Sequence, residues 1–290
     1  MITIIHIMIT AGGTVEAIDS VRQISNTSTG RLGACIYEAL TEHLVAGRDA
    51  SGRSDKSAKG DCGFMVHYVV SETAVRPETN ENLPIVFYPV SDVKSVESAI
   101  ETLMINCKID YVIHSMAVSD FTKGYLIEQE ELVCELAETL GRALNESPTG
   151  LSGAKLKEYI GDVIKSPEHI LDASTKVSSQ AELMLFLKKT PKLIEKIKKL
   201  SPESFLVGFK LLKGVSEEEL IRTAAELSEK NGCNLVLAND MNKIRNDRHE
   251  GLLLKGHQVV GRYHTKMEIA RGIVQHMFGG GGNSAAVEAK

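Results

Sequence analysis

IIHIMITAGGTVEAIDSVRQISNTSTGRLGACIYEAL, residues 4–40, decides the fold. An apolar, β-branched run at 2–9 gives way to Gly12 and Gly13, then to a polar stretch, then to Gly30 and Gly33, which open a helical pattern over 30–44. A buried strand, a glycine-rich turn and a helix in this order form the first unit of a doubly wound sheet. The alternation recurs downstream. Strand-like runs stand at 65–70, 84–90, 111–117, 204–212 and 233–240, with helical patterns at 92–106 and 215–231, the latter closed by Gly232. The expected fold class is α/β, a mostly parallel, Rossmann-like sheet with helices on both faces. GLLLKGHQVVGRY (251–263) reads as an edge hairpin, followed by a last helix over 265–278.

Two stretches break the rhythm. Residues 45–63 are polar and glycine-rich and read as a surface insertion, while 121–181 hold amphipathic helical segments such as QEELVCELAETLGRAL without an obvious buried strand. Interruptions of that length in a compact domain are usually flaps or interface elements. The expected organisation is a single α/β domain over 1–278, with 279–290 as a flexible tail.

The 290 residues, 43% hydrophobic and 24% charged, are enough to bury a full core. A formal charge of −5, 5% aromatics and no Trp exclude a basic, stacking surface, so nucleic acid is not an expected partner. No stretch reaches the roughly 18 apolar residues of a membrane span, so no membrane partner is expected either. Cys35, Cys62, Cys107, Cys134 and Cys233 are scattered without a C-x-x-C pair, which reads as reduced, mostly buried thiols in a cytoplasmic protein.

In an open α/β sheet ligands bind beyond the carboxyl ends of the strands, so the loop after the first strand is the place for a site. Its glycines let a ligand or another backbone approach closely, and the helix after Gly30 offers free N–H groups and a positive dipole end to a phosphate. Arg22 can pair with a phosphate or carboxylate, and Asn26 can donate and accept hydrogen bonds at a reacting carbonyl. An Asn and a Ser that merely satisfy loop backbone are the equal alternative.

The 11–33 loop resembles the signature loop of phosphopantothenate–cysteine ligases, the phosphopantothenoylcysteine synthetases of coenzyme A biosynthesis. SMAVSDF (115–121) is similar to that family's A-V-A/S-D-[YF] segment, KVSS (176–179) to its lysine flap, LFLKKTPKLI (185–194) to its K-x-P strand and helix start, and LVGFKLL (206–212) and NLVLAND (234–240) to its G-F-[AK] and A-N-D motifs. The LKKTP and GFKLL variants resemble the free-standing bacterial enzymes most. The resemblance implies that a nucleoside triphosphate, CTP rather than ATP, activates 4′-phosphopantothenate as an acyl nucleotidylate, and that cysteine then displaces the nucleotide. Asn26 would hold the acyl intermediate, Lys176 would close over it on the flap, and Arg22 would fix the phosphopantothenate. Gly12, Ser28, Gly30, Gly33, Ser115, Met116, Asp120, Phe209 and Asn239 would surround the nucleotide, with Lys188 and Lys189 beside its base or phosphates. The resemblance also implies Mg²⁺ with the triphosphate, no flavin, and a homodimer with residues 121–190 near its interface.

The chain departs from the pattern in two places. Where fused bacterial members carry two helix lysines four apart, it has Leu227 and, near the second position, Lys230. The stretch between Asp120 and Lys176 is longer than in the fused enzymes, which makes Lys165 the alternative flap lysine. Other readings fit less well. A nicotinamide oxidoreductase would need G-x-G-x-x-G or a Tyr-x-x-x-Lys pair, and no tyrosine has a lysine four residues on. A metal hydrolase would need an H-E-x-x-H-type spacing, which the nine histidines lack, and His114 within its apolar strand reads as a buried, hydrogen-bonded residue. A non-catalytic nucleotide sensor would explain the glycines but not Asn26 and the flap.

Overall fold

The computed structural model describes residues 3–49, 62–147, 150–172, 182–245 and 248–279. In chain order the elements are β1 (Thr3–Ala11), β2 (Val15–Ala17), β3 (Gln23–Ser25), α1 (Arg31–Asp49), β4 (Cys62–Ser71), β5 (Ile85–Val90), α2 (Val93–Asn106) and β6 (Tyr111–His114). There follow β7 (Phe121–Glu128), α3 (Gln129–Glu146), α4 (Gly153–Lys165), β8 (Leu183–Lys189), α5 (Leu193–Leu200), β9 (Phe205–Leu212), α6 (Glu217–Asn231) and β10 (Leu235–Asp240). The chain closes with β11 (Ile244–Arg245), β12 (Arg248–Lys255), β13 (Gln258–Thr265) and α7 (Lys266–Phe278). Contacts divide it into two compact units, Met1–Thr14, Asn26–Val118 and Lys192–Lys290 forming one, Val15–Ser25 and Ser119–Pro191 the other.

In the first unit β5, β4, β1, β6, β9 and β10 lie side by side in that order, all parallel. Numbered along the chain among themselves they run 3-2-1-4-5-6, the doubly wound order. The chain winds one way from β1 to β4 and β5, then returns to place β6 on the other side of β1. The boundary between β1 and β6 is therefore the switch point, where the connections diverge and leave a crevice. β12 adds antiparallel to β10 and pairs with β13 and β11 at the edge, as the hairpin pattern predicts. Gly256, at φ +57°, starts the two-residue turn between Lys255 and Gln258, a conformation that favours glycine.

Alternation along the strands sorts the core onto two faces. Ile7, Ile9 and Ala11 of β1 pack with Ile36, Tyr37 and Leu40 of α1 and Ile269 and Ile273 of α7. Met8 and Val69 face the other way, onto Val93, Val96 and Ile100 of α2, Ile197 of α5 and Ala224 of α6. Helices thus cover both faces, as expected, and each fully buried Ile or Leu contributes about 1.5–3 kcal/mol. Helix ends follow local chemistry: Asp92 and Ser95 form a capping box at α2, Ser216 caps α6, and Gly232 ends α6 at φ +64°.

In the second unit β2 and β3 form a short hairpin, β7 and β8 pair antiparallel, and α3 packs on α4. This corrects the expectation of no buried strand over 121–181, because Leu126 and Ile127 of β7 are buried. The reason is local. The first half of β7 is polar, and a register shift at Gly124 breaks the two-residue period by which a strand is recognised. The cysteine expectation also needs correction: Cys233 is buried, Cys35 and Cys107 are half-buried, and Cys134 is exposed on α3. The supposed insertion at 45–63 gives its first residues to α1 and its last to β4, its centre lying outside the described residues, as do 280–290. Among the described residues no helix is long and apolar enough to cross a membrane.

Candidate functional site

The crevice between β1 and β6 is built by interlocked backbone. Gly12 turns the chain out of β1 at φ +97°, and its carbonyl accepts from Ala117 N at 2.8 Å, while Thr14 N donates back to Ala117 O at 3.1 Å. These bonds extend the β1–β6 pairing past the last regular residue, with Gly13 bridged to Ala117. Asn26 then folds onto this ledge: its N donates to Thr14 O at 3.1 Å, its Nδ2 to Ala117 O at 3.0 Å, and its O accepts from Ser28 N at 3.0 Å. The glycines are required by contact. A Cβ on Gly13 would lie 2.4 Å from Asn26 O, and one on Gly33 would lie 2.7 Å from the Ala11 Cβ. Gly30, at φ +70°, packs its backbone against Ala74 and Gly12 and starts α1.

Helix α1 spans 19 residues and has no acidic side chain in its first turn, so its positive end is uncompensated and favours an anion. Beneath it Thr10 ties the crevice together: its carbonyl accepts from Ser115 Oγ at 2.7 Å, and its Oγ1 accepts from Met116 N at 3.2 Å and contacts His114 Nδ1 at 3.0 Å. His114 is buried and hydrogen-bonded, as its strand position implies, and burial pushes its pKa down to about 4, so the imidazole is neutral at pH 7. Tyr68 OH and Ser71 Oγ, both buried, have no hydrogen-bond partner among the described residues. They lie close to where a Cβ on Gly33 or Gly12 would stand. Thr10, Tyr68 and Ser71 were not singled out from sequence; the signal available was a polar residue at the end of an apolar strand run.

Of the expected site residues, the structure brings together Gly12, Asn26, Ser28, Gly30, Gly33, Ser115 and Met116. Phe209 stands in the middle of β9, opposite Leu237, and packs half-buried against the core. Asn239 is buried near the end of β10 with Nδ2 2.9 Å from His249 Nε2. Burial, with the Lys266 charge adding to it, lowers the His249 pKa to about 4. Lys230 of α6 pairs with Glu195 at 2.7 Å.

Arg22, Asp120, Lys165, Lys188 and Lys189 belong to the second unit. Arg22 sits in the β2–β3 turn, where Nε and one terminal nitrogen hold Asp19 Oδ2 at 2.8 and 2.7 Å. The Asp19 carboxylate, wholly buried, also accepts from the Val21 and Arg22 backbone N–H groups, so it fixes the orientation of the guanidinium. Thr122 of β7 donates to Glu16, and Lys123 Nζ to Ile18 O at 3.0 Å, tethering the hairpin. The exposed Asp120 precedes β7 and accepts at its carbonyl from Thr190 N at 3.1 Å. Lys188 and Lys189 are exposed at the end of β8, and Lys165 ends α4. Lys176 lies outside the described residues.

The family described as the DNA/pantothenate metabolism flavoprotein C-terminal domain matches residues 2–130 and 166–279. Among curated proteins, the chain is similar to the coenzyme A biosynthesis bifunctional protein CoaBC of Thermococcus kodakarensis, 29% identical over 249 residues, 86% of this chain and 44% of that one. The chain spans about half the length of the curated relatives it matches. Among solved structures it is similar to the DNA/pantothenate metabolism flavoprotein from Streptococcus pneumoniae, at 31% identity and a TM-score of 0.66, covering 94% of this chain and 98% of that one. A Cab2 mutant in complex with phosphopantothenate-cysteine shares the fold at 14% identity and a TM-score of 0.56, over 94% of this chain and 86% of that one.

Proposed function

Because the chain belongs to the family of the DNA/pantothenate metabolism flavoprotein C-terminal domain, we propose that it is a phosphopantothenate–cysteine ligase. The observation that carries the reading is the Asn26 ledge, set at the β1–β6 switch point beside the bare positive end of α1.

In this reading a carboxylate oxygen of 4′-phosphopantothenate attacks the α-phosphorus of the triphosphate, CTP rather than ATP, and pyrophosphate leaves. The cysteine amine then attacks the acyl carbon, the acyl–oxygen bond breaks, and the nucleoside monophosphate leaves with that oxygen. Both steps ask for positioning and charge stabilisation more than for a protein nucleophile. Gly12, Ser28, Gly30 and Gly33 surround the nucleotide with Ser115 and Met116, and the α1 N-terminus meets its phosphates. Asn26, one amide N–H anchored on Ala117, offers its second amide N–H to the acyl oxygen. Arg22, oriented by Asp19, takes the phosphopantothenate end. Lys176 is assigned to the flap, and Asp120, Lys188, Lys189 and Asn239 to the nucleotide; for Phe209 the assignment is limited to backbone contact.

Mg²⁺ enters as the counter-ion of the triphosphate substrate, because the residues of the crevice supply hydroxyl, amide and backbone groups and no carboxylate cage. No residue is assigned to a flavin. Residues 1–278 are proposed to act as one catalytic domain, in the cytoplasm, as a homodimer with residues 121–190 near the interface. Sedimentation as a dimer at micromolar concentration is the expected result, and a monomer would contradict it. Pyrophosphate release should require Mg²⁺ and 4′-phosphopantothenate and be faster with CTP than ATP; release equally fast without the pantothenate substrate would overturn the ligase reading.

A further inference from the structure

On the face of the sheet covered by α2, away from the crevice, three side chains from separate elements converge. His6 of β1, His67 of β4 and Cys107, which closes α2, place one donor atom each within 4.8 Å of one another. His6 stands five residues before Ala11, about 17 Å along the strand from the crevice. His6 Nδ1 and His67 Nε2 are 2.9 Å apart. Their ring centres are 5.2 Å apart, so the rings meet edge to edge with the two nitrogens facing.

We propose that His6, His67 and Cys107 bind a borderline-soft divalent ion of the Zn²⁺ class, with water as the fourth ligand. Two imidazoles and a thiolate are the donors such an ion prefers, at about 2.0–2.1 Å to nitrogen and about 2.3 Å to sulfur. Tetrahedral geometry then sets the donors roughly 3.3–3.6 Å apart. The facing nitrogens need to open by a few tenths of an ångström and the thiol to swing inward, both within side-chain rotation. Neighbouring groups support the arrangement. His67 Nδ1 lies 3.1 Å from Tyr88 OH, and donation there leaves the Nε2 lone pair for the metal, the outer-shell contact that orients metal-bound histidines. Asp110 Oδ2 accepts from His6 N at 2.9 Å and pins the backbone that carries His6. His67 is buried, whereas His6 and Cys107 are half-buried and give the ion a route from solvent.

The protons balance. The proton shared between the facing nitrogens moves to His6 Nε2, and the Cys107 thiol gives one proton to solvent, so one proton leaves per ion bound. Without metal the same atoms form a Tyr88–His67–His6 hydrogen-bond chain, and that simpler role is what the experiment must separate.

Titration of the full chain with Co²⁺, which reports tetrahedral thiolate ligation by a thiolate-to-cobalt charge-transfer band and intense visible bands, makes the test. The expected result is saturation at one ion per chain, displacement of Co²⁺ by Zn²⁺, loss of the charge-transfer band in Cys107→Ser, and loss of both features in His67→Gln. Cys134→Ser, at the exposed thiol of α3, should leave the spectrum unchanged. Absence of the bands at equimolar Co²⁺, their survival in Cys107→Ser, or their loss in Cys134→Ser would overturn the proposal. Circular dichroism of each variant, matching the parent chain, ties any spectral loss to the ligand and not to unfolding.

Discussion

Asn26 is held through its backbone N, its backbone O and Nδ2, all on residues of the same crevice. Asn26→Asp would set a carboxylate oxygen where Nδ2 now donates to Ala117 O, replacing a hydrogen bond by repulsion, and would repel the phosphate of an acyl nucleotidylate. The expected outcome is a loss of about 1–3 kcal/mol of stability by urea unfolding, together with collapse of cysteine-dependent product. Nucleotide binding, which rests on the glycine turn and the α1 N-terminus, should be nearly preserved in equilibrium titration. Lys176→Gln should likewise bind both substrates and fail to ligate, a deficit on the order of several kcal/mol in the barrier if its ammonium meets charge in a water-excluded site. Wild-type turnover by Lys176→Gln would move the flap role to Lys165, at the end of α4. The glycines and Asn26 were legible in the sequence because their residue types are rare in combination. Thr10, Tyr68 and Ser71 were not, because a strand's pattern does not say which neighbouring strand end its last polar residue will meet.

At the scale of elements, helix boundaries carry readable energy. Asp92→Ala removes the Oδ1 that accepts from Ser95 N at 2.8 Å, one half of the α2 capping box, and should cost about 1 kcal/mol in urea unfolding without changing ligation kinetics. No loss of stability would mean that α2 is held by its buried face alone. The strands of the parallel sheet were legible for a related reason: buried on both faces, they read as continuous apolar runs, and β1, β4 and β10 show it plainly. β7 and β8 were not. Their partners lie beyond two helices in the chain, half their residues are polar or half-exposed, and the shift at Gly124 breaks the alternation. Residues 131–165, holding most of α3 and all of α4, also fall outside the family match. Their amphipathic spacing predicted helices without indicating that a strand pair would flank them.

For the molecule as a whole, the buried histidines set an acid limit. His114 and His249 ionise near 6.5 when unfolded and only near 4 when folded, because burial disfavours the imidazolium. Between those values the unfolded chain binds more protons, so stability is full above about pH 6.5 and falls as pH drops toward 4, by up to about 3 kcal/mol for each histidine. Urea midpoints measured from pH 7 to 4.5 should fall accordingly, and His114→Gln should flatten the slope; an unchanged slope would contradict the assignment. The central claim, that this crevice activates a carboxylate as an acyl nucleotidylate, is tested most directly by isotope transfer. With 4′-phosphopantothenate labelled by ¹⁸O in both carboxylate oxygens, and Mg²⁺, CTP and cysteine supplied, mass spectrometry of the products should find one ¹⁸O in CMP and the other in the new amide. Label in inorganic phosphate, with CDP as the nucleotide product, would contradict it.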